Sequence, residues 1–357
     1  MGRPGPTCAG LTGLPLGRDN RLVISIVRES TASATGGAAR GRGPVIEIEN
    51  PREFPDRARG AYATIGNFDG VHLGHQRILA RLRNLADQAR APALALTFHP
   101  HPATLLRPLD APLPLVWPER EALLLEQAGA TEVGFFKTGP WLLSMPARAF
   151  FDDMVRGLLG VRGLVEGPNF AFGHDREGDV VRLRAWCSES GMAFETVDAI
   201  RVGGELVSSS RIRESIRLGK VEDAASLLGR PHRIRGIVGR GAGRGAGLGF
   251  PTINLESVDV LAPADGVYAA QAIVEGEPRP WPAACNLGPN PTFGESARKI
   301  EAHLIGFHGD LLGRRVELDF LERIRGTRKF PDLEALLARI AVDLEATRVI
   351  VGRRPAE

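Results

Sequence analysis

The spacing of apolar residues changes once along this 357-residue chain, at Gly229-Arg230-Pro231. Before that point, short apolar runs alternate with stretches whose apolar residues recur at helical spacing. Ala61–Ile65, Ala93–Phe98, Glu132–Phe136, Gly163–Glu166 and Phe194–Ile200 read as strands. Helices are predicted up to Arg90 and near 118–129, 146–160 and 179–190, the first with Ile78, Leu82, Leu85 and Ala89 on its inward face. Such alternation predicts a parallel sheet covered on both faces, with ligands beyond the carboxyl ends of its strands. Two short helices, 210–219 and 221–229, close this half. After residue 230 the pattern has period two, at 232–238, 267–275, 281–287, 299–307 and 314–324, with Gly/Pro-rich turns and no crossover helices. An antiparallel barrel or sandwich follows. A last helix carries Leu333, Leu336, Leu337, Ile340 and Leu344 on one face.

This division gives three segments: 1–44, 45–229 and 230–357. The first is rich in Gly, Pro, Arg, Ser and Ala with little periodicity, and reads as a disordered extension or the product of a start codon placed too early. Its apolar patch, Leu22–Val27, is too short for a signal peptide. No stretch reaches the ~18–20 apolar residues that span a bilayer, so no membrane partner is expected. Three cysteines, Cys8, Cys187 and Cys285, lie far apart without metal spacing and suit a reducing cytoplasm. The net charge of +3 suits polyphosphate substrates without demanding nucleic acid, and an oligomer stays open.

Between the first strand and helix stands Gly66-Asn67-Phe68-Asp69-Gly70-Val71-His72-Leu73-Gly74-His75. Its glycines allow a tight turn. Its two histidines straddle a helix start, where free backbone N–H groups and the helix dipole favour an anion. Imidazole N–H groups placed there can stabilise charge on a phosphate in a transition state. A P-loop motif is absent, so the nucleotide is not held that way.

Every second residue from Gly239 to Gly249 is glycine, and Pro251-Thr252-Ile253-Asn254 follows. Such a loop can wrap a phosphate or serve as a flexible linker. In an extended segment Thr252 and Asn254 share a side, and two neutral oxygen ligands can hold Mg²⁺ if ATP phosphates and water complete the shell. Glu301 alternates against Ile300, Ala302 and Leu304 and points away from them; by periodicity alone it faces either solvent or a site.

The HxGH turn resembles the nucleotidyltransferase superfamily. With Thr64–Leu79, Pro100-His101-Pro102, Gly167–Gly173 (GPNFAFG) and Ser208–Arg213 (SSSRIR), the first half is similar to the adenylyltransferase half of bifunctional bacterial riboflavin kinase/FAD synthetases. Gly236–Leu255, Cys285–Gly294 (CNLGPNPTFG), the Glu301 strand and Gly309–Gly313 resemble the kinase half. The resemblance covers residues 45–348. It implies a Rossmann-like nucleotidyltransferase domain and a β-barrel kinase domain, making FMN from riboflavin and then FAD, with ATP as co-substrate and Mg²⁺.

By the same resemblance His72 and His75 contact ATP phosphates, and Gly66, Asn67, Phe68, Asp69, Gly70, Asn169, Ser209, Ser210 and Arg213 line the nucleotide site. Gly243, Arg244 and Gly245 bind the second nucleotide, Thr252 and Asn254 hold Mg²⁺ with ATP, and Glu301 is the base. Phe170 and Phe172 either stack on a flavin or pack in the core; Asn290 and Thr292 lie near the flavin. Ser208–Ser210 can cap a helix and bind phosphate at once. The chain departs from the family pattern at His99, Gly306, Leu312, Thr327 and Arg339. An HxGH transferase carrying a degenerate, flavin-binding barrel is the alternative.

Overall fold

The structure, a computed structural model, describes residues 46–48, 55–241, 244–289 and 297–353. Residues 1–44, Gly243, Asn290 and Thr292 lie outside the described residues, as does the side chain of Arg244.

The first half is a six-stranded, all-parallel sheet. In chain order its elements are β1 (Ile46–Ile48), β2 (Tyr62–Ile65), α1 (Leu73–Gln88), β3 (Ala93–His99), α2 (Pro118–Gln127), β4 (Glu132–Lys137), β5 (Gly163–Glu166), α3 (Val180–Glu189) and β6 (Ala193–Thr196). The strand order is β1-β4-β3-β2-β5-β6. Progression runs one way from β2 through β3 to β4 and the other way through β5 to β6, so the order reverses beside β2. The segment Ala93–Thr97 is buried throughout, as expected of a central parallel strand with both faces covered.

Three local readings change. Helix α1 buries Leu79, Leu82 and Ala86, while Ile78 and Leu85 are only partly buried. Its apolar arc is wider than one row, and the sheet takes the other edge of it. Residues Phe150–Leu158 form a π-helix after a short α-turn. Phe150, Phe151, Met154, Val155 and Leu158 recur every four residues and are the buried side of this segment, a spacing that α- and π-turns stack about equally. The last strand ends at Thr196, not Ile200. Helices α4 (Ser209–Arg217) and α5 (Val221–Leu228) follow, the latter ended by Gly229 in the left-handed conformation.

The second half is a closed barrel of β7 (His232–Gly239), β8 (Ile253–Glu256), β9 (Gly266–Val274), β10 (Trp281–Gly288), β11 (Lys299–Leu304) and β12 (Arg315–Arg325). Its order is β7-β8-β11-β10-β9-β12, with antiparallel pairs throughout. Closure leaves no unpaired edge. The sixth strand, β8, is four residues long, too short for its alternation to stand out in sequence. Tyr268, Ala270, Cys285, Ala302, Leu318 and Phe320 fill the interior, each large apolar side chain contributing ~1.5–3 kcal/mol on burial. Strand β11 stops at Leu304, and Gly306 turns the chain at φ 80°.

Helix α6 (Leu333–Gly352) starts at Asp332, whose Oδ1 accepts from Ala335 N at 2.8 Å. It buries Leu336, Asp343, Leu344 and Thr347, whereas Leu333 is 46% exposed, off the expected face.

The halves meet through the start of α2. Trp117, just before Pro118, is 5% exposed and belongs to the barrel's core cluster. Arg235 of β7 lies 4.9 Å from the Trp117 ring centre and pairs with Glu119 at 3.2 Å and Asp259 at 2.7 Å.

Candidate functional site

The turn after β2 lies where the strand order reverses. Strands β2 and β5 pair only at Tyr62–Ala63, after which they diverge. The Glu166 carboxyl fills the gap, accepting from Ile65 N at 2.9 Å and Thr64 Oγ1 at 3.4 Å. Burial without a cation pushes this carboxyl well up, toward its neutral form. In the sequence Glu166 is marked only as the end of a strand.

His72 is the N-cap of α1, and its Nδ1 accepts from His75 N at 3.3 Å. An accepting Nδ1 carries no proton, so the neutral ring holds its proton on Nε2, as a donor. Burial lowers the His72 pKa to about 4 and holds that of His75 well below the usual imidazole range, so both rings are neutral at physiological pH. They stack with centres 3.6 Å apart, and Phe68 packs edge-on to His75 at 5.1 Å. His75 Nδ1 is buried and meets no hydrogen-bond partner among the described residues. Gly74 lies close against the His72 ring: a Cβ there would stand 3.1 Å from His72 Cε1, so the ring would have to give by a few tenths of an ångström.

Asp69 and Arg213 form a buried ion pair under the turn. Asp69 Oδ1 also accepts from Leu115 N at 2.8 Å, and Arg213 Nε donates to Leu113 O at 3.1 Å. Burial pushes Asp69 up and Arg213 down, since it disfavours both charges; their mutual attraction opposes it. Two Arg213 donors are thus engaged by protein, which makes Arg213 a brace for the turn before it is a phosphate fork. Ser208 is the N-cap of α4, Ser209 Oγ donates to Asp69 O at 2.8 Å, and Ser210 is exposed.

A cavity of about 240 Å³ opens beside the turn, lined by Asn67, Thr97, His101, Trp117, Glu121 and Arg213 among others. Glu121 is a site residue that the sequence did not mark, because it sits inside an ordinary helical pattern. It accepts from Thr97 Oγ1 at 2.9 Å, and burial raises its pKa to about 8. Beyond β5, Asn169 is exposed and Phe170 half-buried. Phe172 takes the core alternative, packing on Phe150 and Trp186, with Phe170 stacked on it at 5.3 Å. His99, at the end of β3, is exposed.

On the barrel, register assembles the second site. Asn254 of β8 lies opposite Glu301 of β11, and Glu301 lies opposite Asn286 of β10. Their neighbours Ile253, Ala302 and Cys285 belong to the core cluster or pack against it, so the polar row stands on the outer wall. Asn286 was missed; the available signal was that it is the polar residue between buried Cys285 and Leu287. His303 Nδ1 donates to Pro251 O at 2.7 Å, tying the Thr252 segment to the same strand. Thr252 itself is exposed.

The glycine-rich loop lies on this segment: a Cβ on Gly241 would collide with the Asn254 amide, and one on Gly245 with Phe250 O. A loop that close to Thr252 and Asn254 fits a metal–polyphosphate site. Among the described residues no group of three or more His, Cys, Asp or Glu could hold a metal ion. Of the departures, Leu312 is exposed, Thr327 Oγ1 is buried with no partner among the described residues, and Arg339 pairs with Asp343 at 2.8 Å.

Comparison with known proteins agrees with this two-part geometry. Residues 54–211 match the FAD synthetase family and residues 228–351 the riboflavin kinase family. The bifunctional riboflavin kinase/FMN adenylyltransferase of Pseudomonas fluorescens is 36% identical over 295 residues, spanning 82% of this chain and 94% of that one. The protein of the same description from Bacillus subtilis is 32% identical over 311 residues, spanning 84% and 95%. A solved structure from Streptococcus pneumoniae, described as a macrolide-efflux protein, matches with a TM-score of 0.77 and 28% identity over 85% of this chain and 98% of that one. No helix among the described residues is long and apolar enough to cross a membrane.

Proposed function

Because the chain belongs to the bifunctional riboflavin kinase/FMN adenylyltransferase family, we propose a division of its two reactions between the two sites just described. The chain makes FMN from riboflavin and FAD from FMN, consuming ATP in both steps.

Residues 45–229 carry the adenylyl transfer. An FMN phosphate oxygen attacks the α-phosphorus of ATP, and the bond to the β-phosphate oxygen breaks, releasing pyrophosphate. No protein nucleophile is needed; positioning and charge stabilisation suffice. His72 Nε2–H and the His75 ring donate to the phosphates at the head of α1. Gly66, Asn67, Phe68, Asp69 and Gly70 shape the turn, with Ser209 and Arg213 bracing it. Asn169 and Ser210 reach the nucleotide from outside. Phe170 offers a flavin its face, with Phe172 behind it as support.

Residues 230–357 carry the kinase step. Glu301 takes the proton of the ribityl hydroxyl as its oxygen attacks the γ-phosphorus and ADP leaves. Thr252 and Asn254 would hold Mg²⁺ together with the ATP phosphates; when bound it neutralises charge on the transferring group. Gly243, Arg244 and Gly245 wrap the nucleotide, and Asn290 and Thr292 border the flavin. A cytoplasmic location suits this chemistry and the two buried thiols, Cys187 and Cys285.

The observation that carries the reading is the Nδ1 cap of His72, which leaves its donor on Nε2 at the helix start. The test follows FMN and FAD chromatographically from riboflavin, ATP and Mg²⁺. His72→Ala is expected to accumulate FMN without FAD, and Glu301→Gln to make FAD only from supplied FMN. Loss of both products from riboflavin in His72→Ala, or failure of Glu301→Gln to convert supplied FMN to FAD, would refute the division.

A further inference from the structure

We propose that Arg230 is a positioning residue for adenylyl transfer, holding the backbone of Gly70 and Val71 so that His72 and His75 stand correctly at the head of α1. This rests on the reading of that turn as the transfer site.

Arg230 follows the α5 cap Gly229 and precedes β7, outside every motif that marks the first half. Its Nη2 donates to Gly70 O at 2.5 Å, and its Nη1 donates to Val71 O at 3.1 Å and Leu228 O at 3.2 Å. Gln76, in the first turn of α1, reaches the same two places: its Nε2 donates to Val71 O at 2.8 Å and Leu228 O at 2.8 Å. The two side chains therefore clamp one carbonyl, that of the residue before His72.

Val71 needs such a clamp. Its φ is +39°, in the left-handed region that a β-branched residue rarely enters. A conformation of that kind persists only where its surroundings over-determine it. Here Val71 N donates to Phe68 O at 2.7 Å, its side chain is buried, and its carbonyl takes two donors. The direction of the chain leaving Val71 sets where His72 caps α1, and so where Nε2–H points. Arg230 is half-buried, its pKa drawn down to about 10 by desolvation, so it remains a cation at neutral pH. The planar guanidinium reaches these three carbonyls from two separate nitrogens, Nη1 and Nη2, a spread that the single ammonium nitrogen of a lysine does not reproduce.

The test compares Arg230→Met, Arg230→Lys, Gln76→Leu and His72→Ala in the full chain, with FMN formation measured in each. Arg230→Met should lower kcat for FAD formation about 10- to 100-fold, the scale expected when reacting groups are misplaced by about 1 Å. KM for ATP and FMN should stay within about threefold, kinase activity within about twofold, and Arg230→Lys should recover part of the loss. Adding Gln76→Leu to Arg230→Met should cost less than the product of the single losses, because both act through Val71. A kcat within twofold of wild type in Arg230→Met, or parallel loss of both activities, would overturn the proposal. His72→Ala separates the failures. If it leaves FAD formation intact, the site reading falls; if it alone abolishes FAD formation, only the role of Arg230 falls.

Discussion

Asn254 and Glu301 face each other across the β8–β11 ladder, residue opposite residue, on the outer wall of the barrel. The amide that would share a metal with ATP and the carboxylate that would take the substrate proton are therefore fixed by one pair of hydrogen-bonded strands. Asn254→Ala should raise the Mg²⁺ concentration giving half-maximal FMN formation by about tenfold, since one of two protein ligands is removed. FAD formation from supplied FMN should keep its wild-type Mg²⁺ dependence. Titrating Mg²⁺ against each activity separates the two, and a parallel shift in both would contradict the assignment.

Breaking the buried Asp69–Arg213 pair from one side leaves an uncompensated charge under the turn at 66–75. Arg213→Met should destabilise the chain by about 3–5 kcal/mol. Asp69→Asn combined with Arg213→Met should recover much of that loss. Urea midpoints of wild type and the two variants test this, and a double variant as unstable as Arg213→Met would contradict it.

Gly74→Ala should separate stability from activity. Alanine favours a helix over glycine by about 1 kcal/mol, so thermal stability should hold or rise. The new methyl would crowd His72 at 3.1 Å and shift its ring off the cap. FAD formation should fall roughly tenfold while FMN formation stays level.

The Glu121 carboxyl, with its pKa raised from 4.5 to about 8, gives stability a defined slope with pH. The folded chain keeps this proton where the unfolded chain has lost it. The contribution is therefore complete below about pH 4.5 and is lost as pH rises through about 8. Glu121→Gln should remove this dependence, so wild type should lose roughly 3 kcal/mol more than the variant between pH 5 and pH 8. Denaturation curves at the two pH values measure it, and equal losses would show that the carboxyl ionises freely in the fold.

The order of elements and both motif sets were legible because each is written in neighbouring residues: a helical period, a strand–turn–helix, a glycine loop before Pro251-Thr252-Ile253-Asn254. What escaped depends on contacts across the fold. Asn286 joins Glu301 only through the β10–β11 register, and Glu121 meets Thr97 only because α2 lies over β3. Val71 reads as an ordinary apolar residue until its φ is known. Phe150–Leu158 reads as an α-helix in sequence although it is a π-helix, since apolar residues four apart suit either kind of turn. Phe170 and Phe172, indistinguishable as a motif, part company once Phe172 is seen among Phe150 and Trp186.

Trp117 draws a different map of the chain from the one drawn by its motifs. By position it belongs to the first half, yet it is part of the barrel's core cluster, and Arg235 closes over the face of its indole. A gene cut at the Gly229-Arg230 junction would give one fragment with a stranded aromatic ring and the other with a socket where that ring had been. The seam along which the protein could be taken apart is therefore not a peptide bond but a surface, and swapping either half between relatives would require carrying Trp117 and its socket together.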